Sequence, residues 1–131
     1  MRRPRDEGSA VAEFVMVAAL LLFVATGVFQ VGLALYVRNS LIAAASEGAR
    51  YGARADSSPQ AGAERTSQLI STGLSARFSR NITAAEHISN GVRVVQVVVR
   101  APLPVIGPIG PSEALEVRGR AFSEHQVGVV P

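Results

Sequence analysis

A chain of 131 residues has room for one domain, or for one small domain with an appendage. Its 48% hydrophobic content is ordinary, but cysteine is absent, which excludes disulfides and thiolate metal sites. All thirteen basic residues are arginine, and after Ala55 seven Arg face six Asp plus Glu; no basic face gathers there, so nucleic-acid binding is not indicated.

The chain opens on a short basic, polar segment, "MRRPRDEG", that ends at Gly8. Ser9 follows, and a lone carboxylate, Glu13, stands five residues past the glycine. Residues 14–37 then form a 24-residue run (14 through 37) without a charged side chain, in which Thr26 and Gln30 are the clearly polar members. As a helix it would be about 36 Å long, against a bilayer core of about 30 Å. The run predicts a transmembrane helix, since the rest of the chain could hardly wrap a helix this apolar on every face. It is too long for the apolar core of a secretory signal, about 7–15 residues, and the small residues 43–46 ("AAAS") lie beyond its end. Arg2, Arg3 and Arg5 precede it closely, whereas Arg38 and Arg50 follow, so the basic flank predicts a cytoplasmic N-terminus and an exported C-terminal part. Alone, Glu13 reads as an interfacial carboxylate favoured by a helix N-terminus.

The helix is expected to continue to about residue 55, because "RNSLIAAASEGARYGARA" has no proline and mostly good helix formers. Leu41, Ala45, Gly48, Gly52 and Ala55 recur at three- and four-residue spacing on one face. Ala45, Gly48 and Gly52 there form a candidate packing seam for a neighbouring helix or for the exported domain. The competing reading is that the two glycines merely weaken the helix end, each by up to about 1 kcal/mol.

Three pieces of this region together resemble the N-terminal region of TadE-like proteins of the tight-adherence (Flp) pilus system: "GSAVAEF", "GLALYVRNSL" and "EGARYGA". The leader also resembles the prepilin-peptidase site of the type IV pilin superfamily. The resemblance implies cleavage between Gly8 and Ser9 on the cytoplasmic side, with the apolar helix retained. It further implies that Glu13 pairs with the α-amino group of a neighbouring subunit and sets the register of assembly, as a buried charge needs a partner. Ser9 departs from the phenylalanine usual after such a cut. The partners implied are prepilin peptidase, the major Flp pilin, other minor pilins, the Tad assembly platform and the lipid bilayer. Length favours a minor pilin or pseudopilin over the shorter major pilins and the longer TadG-like relatives. Two other readings stay open at this point: a static single-pass envelope protein whose exported domain binds a ligand or cell-wall polymer, and a pseudopilin of a type II secretion system.

Residues 56–131, about 76 in all, are few for a self-sufficient core. Residues 57–69, "SSPQAGAERTSQL", read as a turn and a restart, with Ser58 capping and Pro59 in the first turn. Leu69, Ile70, Leu74 and Phe78 supply an apolar stripe, and a second helix is predicted over about residues 59–79. "VRVVQVVVR" is a β-branched strand, preceded by the turn pair Asn90-Gly91 and by a hairpin partner, "ITAAEHIS". "APLPVIGPIGPSEA" predicts an irregular loop whose Leu103, Val105, Ile106 and Ile109 pack back on the sheet or meet a partner. In "ALEVRGRAF", Leu115, Val117 and Ala121 alternate inward against Glu116, Arg118 and Arg120 outward. The expected fold class is α+β: a long N-terminal helix, then a short helix on a small antiparallel sheet.

No catalytic set emerges. His87 and His125 stand alone in polar contexts, without companions at metal-ligand spacing. No nucleophile elbow and no phosphate-binding glycine pattern is present. Asn81-Ile82-Thr83 matches a glycosylation sequon of a kind common by chance. Neither enzymatic activity nor a cofactor is expected.

Overall fold

A computed structural model describes residues 4–103 and 115–124 of the chain. Arg2, Arg3, Val105, Ile106, Ile109 and His125, on which parts of the sequence reading rest, lie outside the described residues. The fold is α+β: helix α1 (Pro4–Gly52), helix α2 (Pro59–Gly73), a 3-10 turn (Ala76–Phe78), and strands β1 (Asn81–Ser89), β2 (Val92–Ala101) and β3 (Leu115–Phe122). The chain divides into two compact units, residues 1–33 and 34–131.

In the first unit everything described is helix. Pro4 suits a first helical turn, where no N–H is required, and Asp6 and Glu7 complement the positive end of the helix dipole. The helix therefore starts inside the leader, ahead of Ser9. Its apolar stretch has a mean hydropathy of 2.4, and none of it is buried within the chain. Phe14, Val15, Met16 and Val17, which point to successive sides, are all at least 55% exposed. No single stripe faces a core, so this surface is built for an apolar environment outside the chain. Thr26 fits the same environment: its hydroxyl donates to the Leu22 carbonyl at 2.7 Å, leaving no unsatisfied donor.

The second unit holds the core. Val37, Leu41, Ala44, Ala45 and Ala49 of α1 are buried, at the spacing of one helix face. Helix α2 begins where Ser58, in extended conformation, accepts from the Ala61 N–H at 3.2 Å, with Pro59 next in the chain. It buries Gly62, Thr66 and Ile70. It stops at Gly73 rather than near residue 79. Leu74 leaves helical conformation (φ −124°, ψ −92°), and Ser75 caps a separate 3-10 turn in which Phe78 is buried. Helix α1 likewise ends at Gly52, short of 55. There Glu124 captures the chain from both sides: its N–H donates to the Ala53 carbonyl at 2.7 Å, and its carboxylate accepts from the Ala55 N–H at 2.7 Å. Ala55 is exposed, so it does not extend the buried face.

The sheet has order β1-β2-β3, antiparallel throughout. Asn90 (φ 52°) and Gly91 (φ 79°) both take left-handed conformation, the two-residue turn that matches the twist of a hairpin. Period-2 alternation sends Val95, Val97, Val99 and Ala101 of β2 inward, all at most 1% exposed, with Val117 of β3 beside Val99. Helix α2 packs on β1 and β2, and α1 meets β3 at Gly119. The opposite sheet face is polar: Glu116 accepts from Arg100 Nε at 3.1 Å and from Arg118 Nη2 at 2.7 Å, and Arg120 Nε donates to Gln96 Oε1 at 3.1 Å.

Candidate assembly site

Two sets of residues carry the sequence-based expectations, and they fall in different units. Gly8, Ser9 and Glu13 belong to the first unit; Ala45, Gly48 and Gly52 belong to the second.

Gly8, Ser9 and Glu13 are all exposed and helical. Ser9 and Glu13 are four residues apart and so share a helix face. Among the described residues Glu13 has neither a hydrogen-bond nor an ion-pair partner. A carboxylate beside residues as apolar as Phe14 and Val15 is costly to bring into an apolar environment alone, and about 2.5–3.5 kcal/mol is the penalty at a bilayer centre. Gly8 has no packing reason to be glycine: a Cβ there would meet nothing within 4 Å. Nor does it take the left-handed conformation, which among the described glycines belongs to Gly91. In a helix such a glycine costs up to about 1 kcal/mol relative to alanine.

The glycines of the second unit behave differently. At Gly48 a Cβ would collide with Thr66 and come within 2.6 Å of the Gly62 carbonyl oxygen; at Gly52 it would lie 3.2 Å from the Gly62 Cα. The α1–α2 crossing is therefore a backbone-to-backbone contact made by three glycines. Thr66 is fully buried against it, and its hydroxyl donates to the Gly62 carbonyl at 2.9 Å. Ala45, one turn earlier and fully buried, lies against β3 at Gly119, where a Cβ would overlap the Ala45 carbonyl. Ala45, Gly48 and Gly52 are thus brought together with Gly62, Thr66 and Gly119 of the same chain. Sequence reasoning named none of these three partners. Gly119 had a usable signal: it is the one residue without a side chain at an inward position of an alternating strand. Gly62 and Thr66 recur four apart, but no sequence feature couples them to Gly48.

The remaining polar chemistry is on the open sheet face. The Arg118 guanidinium, and after it that of Arg100, hold the Glu116 carboxyl below its ordinary range. His87 is exposed on β1. Among the described residues no three His, Asp or Glu side chains gather as a metal site.

A model of the family described as TadE-like protein matches residues 8–50, a span that opens on Gly8 and closes on Arg50. No curated protein and no solved structure matches the chain. The single long apolar helix fits a single-pass membrane anchor in a pilus-system protein. Over residues 8–50 the chain is TadE-like, consistent with a TadE-like protein associated with a Tad pilus.

Proposed function

We propose that this chain is a minor pilin or pseudopilin of a Flp/Tad-type pilus, a structural subunit and not an enzyme. It is inserted in the cytoplasmic membrane with its N-terminus inside and residues 56–131 exported. Prepilin peptidase cuts it between Gly8 and Ser9, and it joins the major Flp pilin, related minor pilins or the Tad assembly platform through the retained helix. The pilus it serves acts in adhesion and surface attachment.

The observation that carries this reading is the head of α1. A glycine with no packing partner and a carboxylate without an ion-pair partner among the described residues precede a helix that is apolar and exposed on every side. A simple membrane anchor needs neither residue, whereas a subunit trimmed at Gly8 and registered by Glu13 needs both. After the cut, the carboxylate would find its counter-charge in the α-amino group of an adjacent copy or major pilin, which offsets the cost of holding it in lipid.

The test is the N-terminal mass of the protein recovered from membranes with and without prepilin peptidase. A start at Ser9 that depends on the peptidase is expected. A mature chain that keeps residues 1–8, or one that lacks the apolar stretch, overturns the reading.

A further inference from the structure

β2 lies between β1 and β3, so among the described residues both outer strands present an edge. An open edge is a template for another strand unless charge, proline or a bulge blunts it. β3 is blunted by Glu116, Arg118 and Arg120 on its outward side. Laid antiparallel against itself with core faces matched, it opposes Arg118 to Arg118 or to Arg120. β1 lacks such a defence. Its nine residues contain no proline and no lysine, and its register with β2 runs unbroken from Asn81 to Ser89. Its one charged residue, Glu86, is already engaged by Arg93 at 3.7 Å.

The sequence of β1 is also self-complementary about Ala85. When Ala85 opposes Ala85 of an antiparallel copy, the inner and outer faces of the two sheets stay aligned. Thr83 then opposes His87 on the outer side. On the inner side Ile82 opposes Ile88, an isoleucine that is 70% exposed in the single chain. The neighbouring face-matched registers are worse. One sets Glu86 against Glu86, and the other sets Glu86 against Ile82. Register is therefore specified by the strand itself.

We propose that β1 pairs edge to edge with β1 of a second copy of this chain, Ala85 opposite Ala85, to form a continuous six-stranded antiparallel sheet. The contact is isologous, so it closes at two copies. Each Glu86 keeps its own Arg93.

Because the chain has no cysteine, single substitutions give unique thiols. Directly opposed residues have Cα atoms about 4.5–5.5 Å apart, inside the range a disulfide bridges, about 4.4–6.8 Å. In the full chain in detergent, Ala85→Cys should cross-link to a homodimer under mild oxidation. Thr83→Cys alone and His87→Cys alone should stay monomeric, while the two mixed should cross-link to each other. The reduced Ala85→Cys chain should unfold at the wild-type midpoint, since Ala85 is exposed. Ala85→Arg should abolish the cross-link between Thr83→Cys and His87→Cys when built into both. A monomeric Ala85→Cys, or equal cross-linking of Thr83→Cys alone, overturns the proposal. So does a product in cells whose mass is that of this chain joined to a different protein.

Discussion

Gly119 of β3 and Ala45 of α1 meet backbone to backbone, so closely that any side chain on Gly119 would overlap the Ala45 carbonyl and the Ser46 nitrogen. Gly119 sits opposite Val97, which is fully buried, in the centre of the inner sheet face. The glycine is there for space and not for a left-handed backbone. Relief would require the helix to lift from the strand. Gly119→Ala should therefore destabilise the full chain by about 2–3 kcal/mol, the upper part of the range for overpacking. The readout is the midpoint of denaturant unfolding in detergent, with the slope unchanged. Gly8→Ala, which meets nothing, should leave that midpoint in place. Equal midpoints for Gly119→Ala and wild type would deny the contact its importance.

The α1–α2 crossing gives a second prediction. Gly48→Ala and Gly62→Ala each press a methyl group into the opposing backbone, the first within 2.6 Å of a carbonyl oxygen. Each should cost about 1–3 kcal/mol. The double variant should cost clearly less than the sum, because one outward shift of α2 relieves both clashes. Strict additivity would mean that the two methyl groups are accommodated independently and that the glycines do not share a contact.

Which parts of this architecture could be read beforehand follows from what each depends on. The apolar run of residues 14–37 is a matter of composition and length, and the long exposed helix over it follows directly. The Asn90-Gly91 turn and the alternation in β2 and β3 are local, and the hairpin and inward residues sit accordingly. The end of α2 was less legible, because the break at Leu74 comes from a competing local cap at Ser75, not from a helix-breaking residue. The end of α1 depends on Glu124, 69 residues from Ala55, which no local pattern announces. Of the candidate site, the seam on α1 was visible as spacing, but its partners Gly62, Thr66 and Gly119 were not. Close approach is a relation between distant segments, and small residues reveal only that an approach is possible.

Thr66 isolates a hydrogen bond inside that seam. It is fully buried, and its hydroxyl donates to Gly62 at 2.9 Å. Thr66→Val keeps the shape and removes the donor, which should cost about 0.5–1.5 kcal/mol, the net value of one such bond. Thr66→Ser should keep the bond and lose only the packing of a methyl group, about 1 kcal/mol. If Thr66→Val proves as stable as wild type, the site is held by shape alone.

The Glu116 cluster predicts a modest dependence on pH. Arg118, then Arg100, lowers the carboxyl in the folded chain. The unfolded chain therefore binds more protons in the acid range, and stability rises with pH there. The contribution is complete above the ordinary carboxylate value and is lost as pH falls through the depressed one. Glu116→Gln should match wild type most closely at acid pH and fall behind it as pH climbs to neutrality, by an amount that shrinks in about 1 M salt as screening tightens. A gap that widens toward acid would reverse the sign and exclude this origin.

Glu13 offers the sharpest test of assembly. Removing its charge lowers the cost of placing the head of α1 in lipid, so Glu13→Ala and Glu13→Gln should insert at least as well as wild type. Neither retains an anion to meet the α-amino group of a neighbour, and Gln differs from Glu by almost nothing else. Both should be absent from filaments sheared off the cell surface while remaining abundant in the membrane fraction. Glu13→Asp keeps the charge on a shorter arm and should be incorporated partly. The ordering Glu, Asp, then Gln with Ala separates charge pairing from side-chain size, because a purely steric role would place Gln next to Glu. Normal incorporation of Glu13→Gln would show that the carboxylate does not set the register.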